Sequence, residues 1–148
     1  MASVKVVIPD NLQETIMAKL QRIVDAALSV AEDVPLMLKT HASGENEDVD
    51  GNQMPPKQPR PKHNPKNFPN LPLVETGEMF NRERWSVDHP EKNTAVVNYD
   101  PPEHFWHLIS KDPAHGGRKW ITPDKINAAV KEQIRAEMIK RGTEASNA

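Results

Sequence analysis

The chain of 148 residues contains no cysteine, few aromatic residues and no long apolar run. The lack of cysteine excludes disulfides and thiolate metal sites, and it is compatible with folding in a reducing compartment. Aromatic residues make up only 5% of the chain, which predicts a small core. No stretch approaches the roughly 20 apolar residues of a membrane span, and the N-terminal sequence lacks a signal-peptide pattern. We therefore expect a soluble, unsecreted protein with no membrane partner.

The charge balance and the motifs that are missing limit the possible functions further. A formal net charge of -2 argues against a surface that is made as a whole for nucleic acid or anionic membrane, so any basic site must be local. The sequence has no nucleophile elbow, no paired acidic motif and no complete phosphate-binding loop. We therefore expect no enzymatic activity and no cofactor. The length predicts one domain, at residues 1–142, followed by a flexible tail at residues 143–148.

The clearest predicted element is an amphipathic helix after the alternating segment SVKVVIP, which itself has the pattern of an edge strand. Asp10 with Gln13, or Asn11 with Glu14, can form a capping box. Apolar residues then recur at three- and four-residue steps to about position 33, and Pro35 should end or bend the helix. The next segment, PLMLKT, is either a short extension or a strand. The apolar stripe is broad enough to pack on the protein's own sheet or to form a subunit interface, and both remain possible.

Residues 40–70 have a different composition. In the acidic first part, Asn46, Asp48, Asp50 and Gly51 resemble the opening of a calcium-binding EF-hand loop, but Lys57 stands at the twelfth position, where a bidentate glutamate is needed. This part is therefore predicted to be a solvated turn without metal. The second part, PPKQPRPKHNPKNFPN, contains six of the fourteen prolines and predicts an extended, polyproline-like arm.

An ordered arm of this length needs another surface to lie on, and a neighbouring subunit could supply it. Its basic and aromatic residues are candidates for contact with such a neighbour, or for weak contact with nucleic acid: Lys57, Arg60, Lys62, Lys66 and Phe68. The segment LPLV that follows is expected to anchor the end of the arm on the core. Thr76 can then cap a short helix with the sequence TGEMFNR, although a simple turn at Thr76–Gly77 is an equal alternative.

The second half of the chain begins with two runs rich in β-formers, RERWSVD and NTAVVNY, separated by HPEK. They predict an antiparallel hairpin whose buried face holds Trp85, Val87 and Val96, with Val97 or Tyr99 at an offset.

Two helices are predicted after the hairpin. EHFWHLI has the length of two helical turns, and its His104 and His107 are too few for a zinc site, so ordinary packing is expected. The last helix is predicted to begin with Thr122 as its cap and Pro123 at its first position, and to end before Gly142. Together these elements predict an α+β fold in which a long N-terminal and a C-terminal helix pack on a small antiparallel sheet.

Four segments, taken in order, resemble those of the tailed-phage virion-morphogenesis and tail-completion proteins. The family shows D-G-x-x-W-x-P, then L-V-D-T-G-x-L, then Y-A-x-x-H-Q-x-G, then P-A-R-P-F-L and a terminal helix. Met54 stands here where the family usually has tryptophan. The matching residues are Asp50 and Gly51 with Pro55 or Pro56 in the first segment, Leu73, Val74, Thr76 and Gly77 in the second, Tyr99 with His104 or His107 in the third, and Arg118, Trp120 and Ile121 in the fourth.

The resemblance implies a structural virion protein of the neck or upper tail, assembled in the host cytoplasm. It would form a ring, of six copies, that completes the tail and joins it to the DNA-filled head. The implied partners are other copies of the chain and the neighbouring neck and tail proteins, with weak contact to DNA in the channel. A tail-terminator or head–tail stopper ring is an alternative of the same size, and a nucleic-acid-binding module that uses the basic arm is another.

Overall fold

The computed structural model describes residues 2–44, 46–54, 78–110 and 117–148, apart from the side chains of Glu78 and His104. Helix α1 spans Asp10–Leu28, a 3-10 helix spans Ser29–Asp33, and helix α2 spans Val34–Ser43. Two short 3-10 turns, Glu78–Phe80 and Arg82–Arg84, precede strands β1, Trp85–Glu91, and β2, Thr94–Tyr99. Helix α3 spans Glu103–Ser110, and the two-residue strands β3, Ile121–Thr122, and β4, Lys125–Ile126, lead to helix α4, Ala128–Ser146. The predicted α+β fold, with two long helices and a small antiparallel sheet, is confirmed.

The beginning of α1 differs in detail from the prediction. The helix starts at Asp10 with Pro9 in the cap position, and the Gln13 side chain reaches back to the carbonyl of Ile8 at 3.0 Å. Residues 2–9 form no strand and are exposed, so the predicted edge strand is wrong. Pro35 does not stop the helical path, because it lies in the first turn of α2, where a missing amide hydrogen breaks no helical bond. The segment PLMLKT is therefore helical rather than a strand.

The predicted hairpin is present, and its register pairs Trp85 with Tyr99 and Val87 with Val97. These side chains share the inner face, where the rings of Trp85 and Tyr99 stack with centroids 4.1 Å apart. Val96 pairs opposite Asp88 and is 40% exposed, so its predicted place on the buried face is wrong. An irregularity in the pairing between Asp88 and Glu91 separates this regular part of the ladder from the turn.

The core surrounds Trp120, which is fully buried. The rings of Phe80, Tyr99 and Phe105 lie 5.0, 6.0 and 5.7 Å from it, measured between centroids. The Tyr99 hydroxyl donates a hydrogen bond of 2.9 Å to the carbonyl of Met79. The scarce aromatic residues are therefore concentrated at the junction of the hairpin, α3 and the segment that leads to α4. Aliphatic and methionine side chains complete the cluster: Val34, Leu38, Ala42, Met54, Met79 and Val130.

Helix α4 begins and ends later than predicted. Its cap is Asn127, whose Oδ1 accepts from the amide of Ala129 at 2.7 Å, whereas Thr122 belongs to β3. The helix continues through Gly142 to Ser146, so most of the predicted tail at 143–148 is its last turn. Gly142 is buried against Ile23 and Ala27, which brings the C-terminal part of α4 onto the second half of α1.

Candidate functional site

The acidic turn at residues 46–54 is built around a buried carboxylate. Asp48 is 1% exposed, and its Oδ1 accepts from the amides of Asp50 and Asn52 at 2.8 and 2.9 Å. Gly51 completes the turn with a φ of 84°, a conformation that a residue with a β-carbon rarely adopts. The prediction of a solvated turn is therefore wrong for Asp48, although an aspartate that bonds amides two and four residues ahead is a familiar turn signal.

Three hydrogen bonds lock this turn onto the rest of the protein. The Asn127 side chain donates to the carbonyls of Glu47 and Asp48 at 3.0 and 2.9 Å, and the amide of Val49 donates to the carbonyl of Lys119 at 3.0 Å. Since Asn127 also caps α4, one buried side chain joins the turn to the start of that helix. Sequence reasoning missed this residue because its partners lie about 80 positions away.

Arg118 fixes the other end of the same region. It is 3% exposed, and its guanidinium donates to the carbonyl of Ala42 from Nε at 3.2 Å and from Nη2 at 2.8 Å. Nη2 also donates to the carbonyl of Gly44 at 2.6 Å. These carbonyls lie at the C-terminal end of α2, where the helix dipole favours a positive charge. Arg118 therefore holds the end of α2 against the segment that carries Trp120.

Asp50 lies at the exposed edge of the turn and faces two lysines. The Lys125 ammonium is 3.0 Å from one carboxylate oxygen and the Lys119 ammonium is 3.9 Å from the other. The hydrogen bond from Lys125 and the charge of that lysine lower the pKa of Asp50 below its usual value. The pair links β4 to the turn, but its exposure limits its contribution to stability.

The structure thus brings together the residues of three of the four motif segments. Asp50 and Gly51 lie on the locked turn, Arg118 adjoins it, and Tyr99 contacts the ring of Trp120. His107 is exposed on α3 and takes no part in this cluster. Two sets of predicted residues lie outside the described part of the chain: Leu73, Val74, Thr76 and Gly77 of the second motif, and Lys57, Arg60, Lys62, Lys66 and Phe68 of the arm.

The contacts of this motif cluster are those of a scaffold. Its charged and amide groups bond to backbone carbonyls and amides, and both Arg118 and Asn127 are buried. In the part of the chain that the structure describes, no three histidine, aspartate or glutamate side chains are grouped so that they could hold a metal ion. The contacts described for this cluster are ones that hold the fold together.

An exposed apolar surface lies at the N-terminal end of α1. Residues 2–20 are all exposed, whereas the stripe of the same helix from Ile23 onward is covered by α4. We call this surface the N-terminal apolar face; its residues, with exposed fractions of 41 to 90%, are Val4, Val6, Val7, Ile8, Leu12, Ile16, Met17 and Leu20. The helical members recur at three- and four-residue steps, so they lie on one side of α1.

A groove lies near the other end of α1, between α2 and β1. Its volume is about 320 Å³, and its floor is apolar, with Pro35, Leu36, Phe80, Trp85 and Val87. Its lining also includes Glu32, Asp33, Lys39 and Arg82. Arg82 lies 3.9 Å from Glu32, and Asp33 forms an ion pair with Arg141. Leu36 is 64% exposed within this groove.

Comparison with known proteins identified no relative of this chain. Among the described helices, none is both long and apolar enough to cross a membrane. No family model, no curated protein and no solved structure matches this chain.

Proposed function

We propose that this protein is a structural component of the neck or upper tail of a tailed phage. It would assemble as a ring, of six copies as the resemblance implies, and this ring would complete the tail and join it to the DNA-filled head. Its partners would be other copies of itself and the adjoining neck and tail proteins, and it would catalyse no reaction.

The observation that carries this proposal is the N-terminal apolar face. Eleven residues of α1, from Asp10 to Leu20, contact no part of the described chain closely enough to be buried. An isolated helical segment of that length is marginal in water, so a helix of this kind is expected to gain its stability from a neighbour. A subunit that relies on other subunits for part of its burial is typical of obligate assemblies.

The motif cluster supports the proposal in a second way. Each motif residue whose side chain is described, except His107, lies at one junction, where it fixes a turn, a helix end or the core. In a structural protein, we expect the fold to restrict which side chains can occupy these positions. The alternative of a terminator or stopper ring fits the same observations and differs in its place within the particle.

The test has two parts. Negative-stain electron microscopy of the purified protein should show rings, and immunogold labelling of complete virions should place the protein at the head–tail junction. Labelling at the end of tails that lack heads would favour a terminator. Absence of the protein from purified virions by mass spectrometry would contradict the proposed role.

A further inference from the structure

Residues 2–8, with the sequence ASVKVVI, have the pattern of a strand but pair with no strand in the described part of their own chain. Pro9 follows them with extended backbone angles, φ -60° and ψ 150°, and a proline disfavours a helical conformation at the residue before it. Val4, Val6 and Ile8 alternate along the segment, and their exposed fractions are 90, 87 and 49%. We call residues 2–8 the N-terminal segment. As a strand, it would carry these three side chains on one exposed apolar face.

A second groove, with a volume of about 330 Å³, borders the outer edge of β2. Each described sheet has two strands, so β1 pairs with one edge of β2 only. The stretch Val97–Tyr99 of β2 lines one side of the groove, Ile121 and Thr122 of β3 line another, and Phe105 and Trp106 of α3 add aromatic rings. We call it the strand-edge groove. A strand that is added to such an edge gains main-chain hydrogen bonds, and its alternate side chains fill the adjoining pocket.

The strand-edge groove and the N-terminal segment match in chemistry. None of the described lining residues is charged, and Trp106 is 49% exposed, so the groove offers an apolar surface to a partner. A negative charge lies at its edge, because the Thr122 hydroxyl donates to the exposed carboxylate of Asp124 at 3.1 Å. Lys125, the next residue, is already engaged in an ion pair at 3.0 Å. The one charged side chain of the segment is the positive Lys5, so the two surfaces are complementary in charge as well as apolar.

The segment cannot reach the groove of its own chain. Gln21 of α1 donates from Nε2 to the carbonyl of Lys92 at 3.4 Å, so the hairpin turn is level with the middle of α1. From this turn β2 leads on to contacts with the 3-10 helix that follows α1, and therefore away from the start of α1. Asp10 lies about 17 Å before Gln21 along the helix, and Val97 lies about 10 Å beyond the start of β2, which separates Asp10 from Val97 by about 27 Å. Even a fully extended chain takes Val6 at most about 14 Å from Asp10, so a groove that holds the segment belongs to another copy.

We propose that the N-terminal segment of one copy lies in the strand-edge groove of another copy as an added strand. A stretch centred on Val6 would pair with β2, and the Val6 side chain would lie against Trp106, with Val4 and Ile8 on the same face and Val7 on the opposite one. A two-stranded sheet is marginal by itself, and a third strand stabilises it. Because the two surfaces differ, the contact is heterologous and continues from copy to copy until a ring closes. The inference rests on the self-assembly in the proposed function, but its test requires no virion.

The test uses the full chain and one introduced cysteine. The sequence contains no cysteine, so a nitroxide spin label attached at Ser3→Cys reports on the N-terminal segment alone. This spin-labelled chain, without isotope, is mixed with the unchanged chain labelled with 15N, so that broadening of the 15N amide signals reports only contacts between copies. The signals of residues 97–99 and 121–122 should lose intensity as the concentration rises toward about 1 mM, and they should recover when ascorbate reduces the label.

Three substitutions at exposed positions separate strand pairing from nonspecific contact. Val6→Asp in the spin-labelled chain should abolish the broadening, because Val6 faces the groove, whereas Val7→Asp, the matched control on the opposite face, should leave it unchanged. Trp106→Lys in the 15N chain should also abolish it, because it removes an aromatic ring of the groove and places a charge like that of Lys5 there. Circular dichroism establishes that each variant is folded; Val6, Val7 and Trp106 are 87, 65 and 49% exposed, so no buried side chain is changed.

Other outcomes overturn the inference. If Val6→Asp and Val7→Asp have equal effects, or if Trp106→Lys has none, the segment does not pair as a strand in this groove. If the broadening is confined to α1 and disappears in a variant with Ile16→Arg and Leu20→Arg, the helices pair with each other and the groove has no part in the contact. If no signal broadens up to about 1 mM, copies do not join through the segment, while immunogold labelling still decides the virion role separately.

Discussion

One substitution, glycine to alanine, should have opposite effects at two positions of this protein. Gly142 is buried inside α4, and a β-carbon built there meets Ile23 Cγ2 at 3.6 Å and Ala27 Cβ at 3.9 Å, which are ordinary contact distances. Glycine is about 0.8–1.0 kcal/mol less favourable than alanine inside a helix. Gly142→Ala should therefore stabilise the protein by about 1 kcal/mol and raise Tm by about 3 °C.

Gly51 provides the opposite case. A β-carbon there meets nothing within 4 Å, so no clash is involved, but the φ of 84° is unfavourable for any residue with a β-carbon. Gly51→Ala should cost about 1–2 kcal/mol and lower Tm by several degrees. Thermal and urea unfolding at one fixed protein concentration measure both effects, since self-association would otherwise shift Tm. A lower Tm for Gly142→Ala, or an unchanged Tm for Gly51→Ala, would refute the conformational argument at that position.

Three further predictions concern the locked turn and its neighbours. Asn127→Ala should lower the free energy of unfolding, measured in urea, by about 2 kcal/mol, because it removes a helix cap and two hydrogen bonds to the turn. Thr122→Ala should lower it by less than about 1 kcal/mol, and similar losses for the two variants would contradict the cap assignment. Arg118→Met should cost about 3 kcal/mol, because it leaves buried carbonyls at the end of α2 unpaired, and Arg118→Lys should restore only part of the loss since it lacks the guanidinium fork. The hydrogen bond from Lys125 lowers the pKa of Asp50 below the usual 3.8. The ionised carboxylate therefore stabilises the folded protein at pH values above 3.8, and this stabilisation is lost as the pH falls through the lowered pKa of the folded protein. The Tm difference between the unchanged chain and Asp50→Asn should therefore shrink on acidification, and a difference that grows would contradict the ion pair.

The sequence predicted those elements whose pattern is local. The period of α1 and the short apolar run of α3 fall where the structure has helices, and the two predicted hairpin runs overlap β1 and β2. Strand β1 continues through His89, Pro90 and Glu91, which were predicted to separate the two strands. Local signals also led to errors where a tertiary contact overrides them. Thr122 and Pro123 resemble the start of a helix, but Thr122 pairs with Lys125 in a tight turn, and the cap of α4 is Asn127, five residues after the predicted cap.

The end of α4 and the buried turn illustrate the same limit. Gly142 resembles a helix stop, but it is buried against Ile23 and Ala27 on α1, and α4 continues through it to Ser146. By its local sequence, Asp48 resembles a solvated acidic residue. Its burial depends on Asn127, 79 positions further on, whose side chain donates to the backbone carbonyls of Glu47 and Asp48. Contacts of that range follow from the packing of whole elements, which periodicity and spacing do not encode.

The first half of α1 should be far less stable than its second half in the dilute monomer. No side chain from Asp10 to Leu20 is buried, whereas residues from Ile23 onward pack against α4, and an isolated helix of fewer than about 12–15 residues is marginal in water. Amide hydrogen exchange should therefore be fast for residues 14–20 and slow for residues 24–28 at low concentration. If another copy covers the N-terminal apolar face, protection of residues 14–20 should rise with protein concentration, and it should not rise in the Ile16→Arg, Leu20→Arg variant. Strong protection of residues 14–20 in the dilute monomer would mean that the helix is stable without a partner, and the argument that its apolar face requires one would fail.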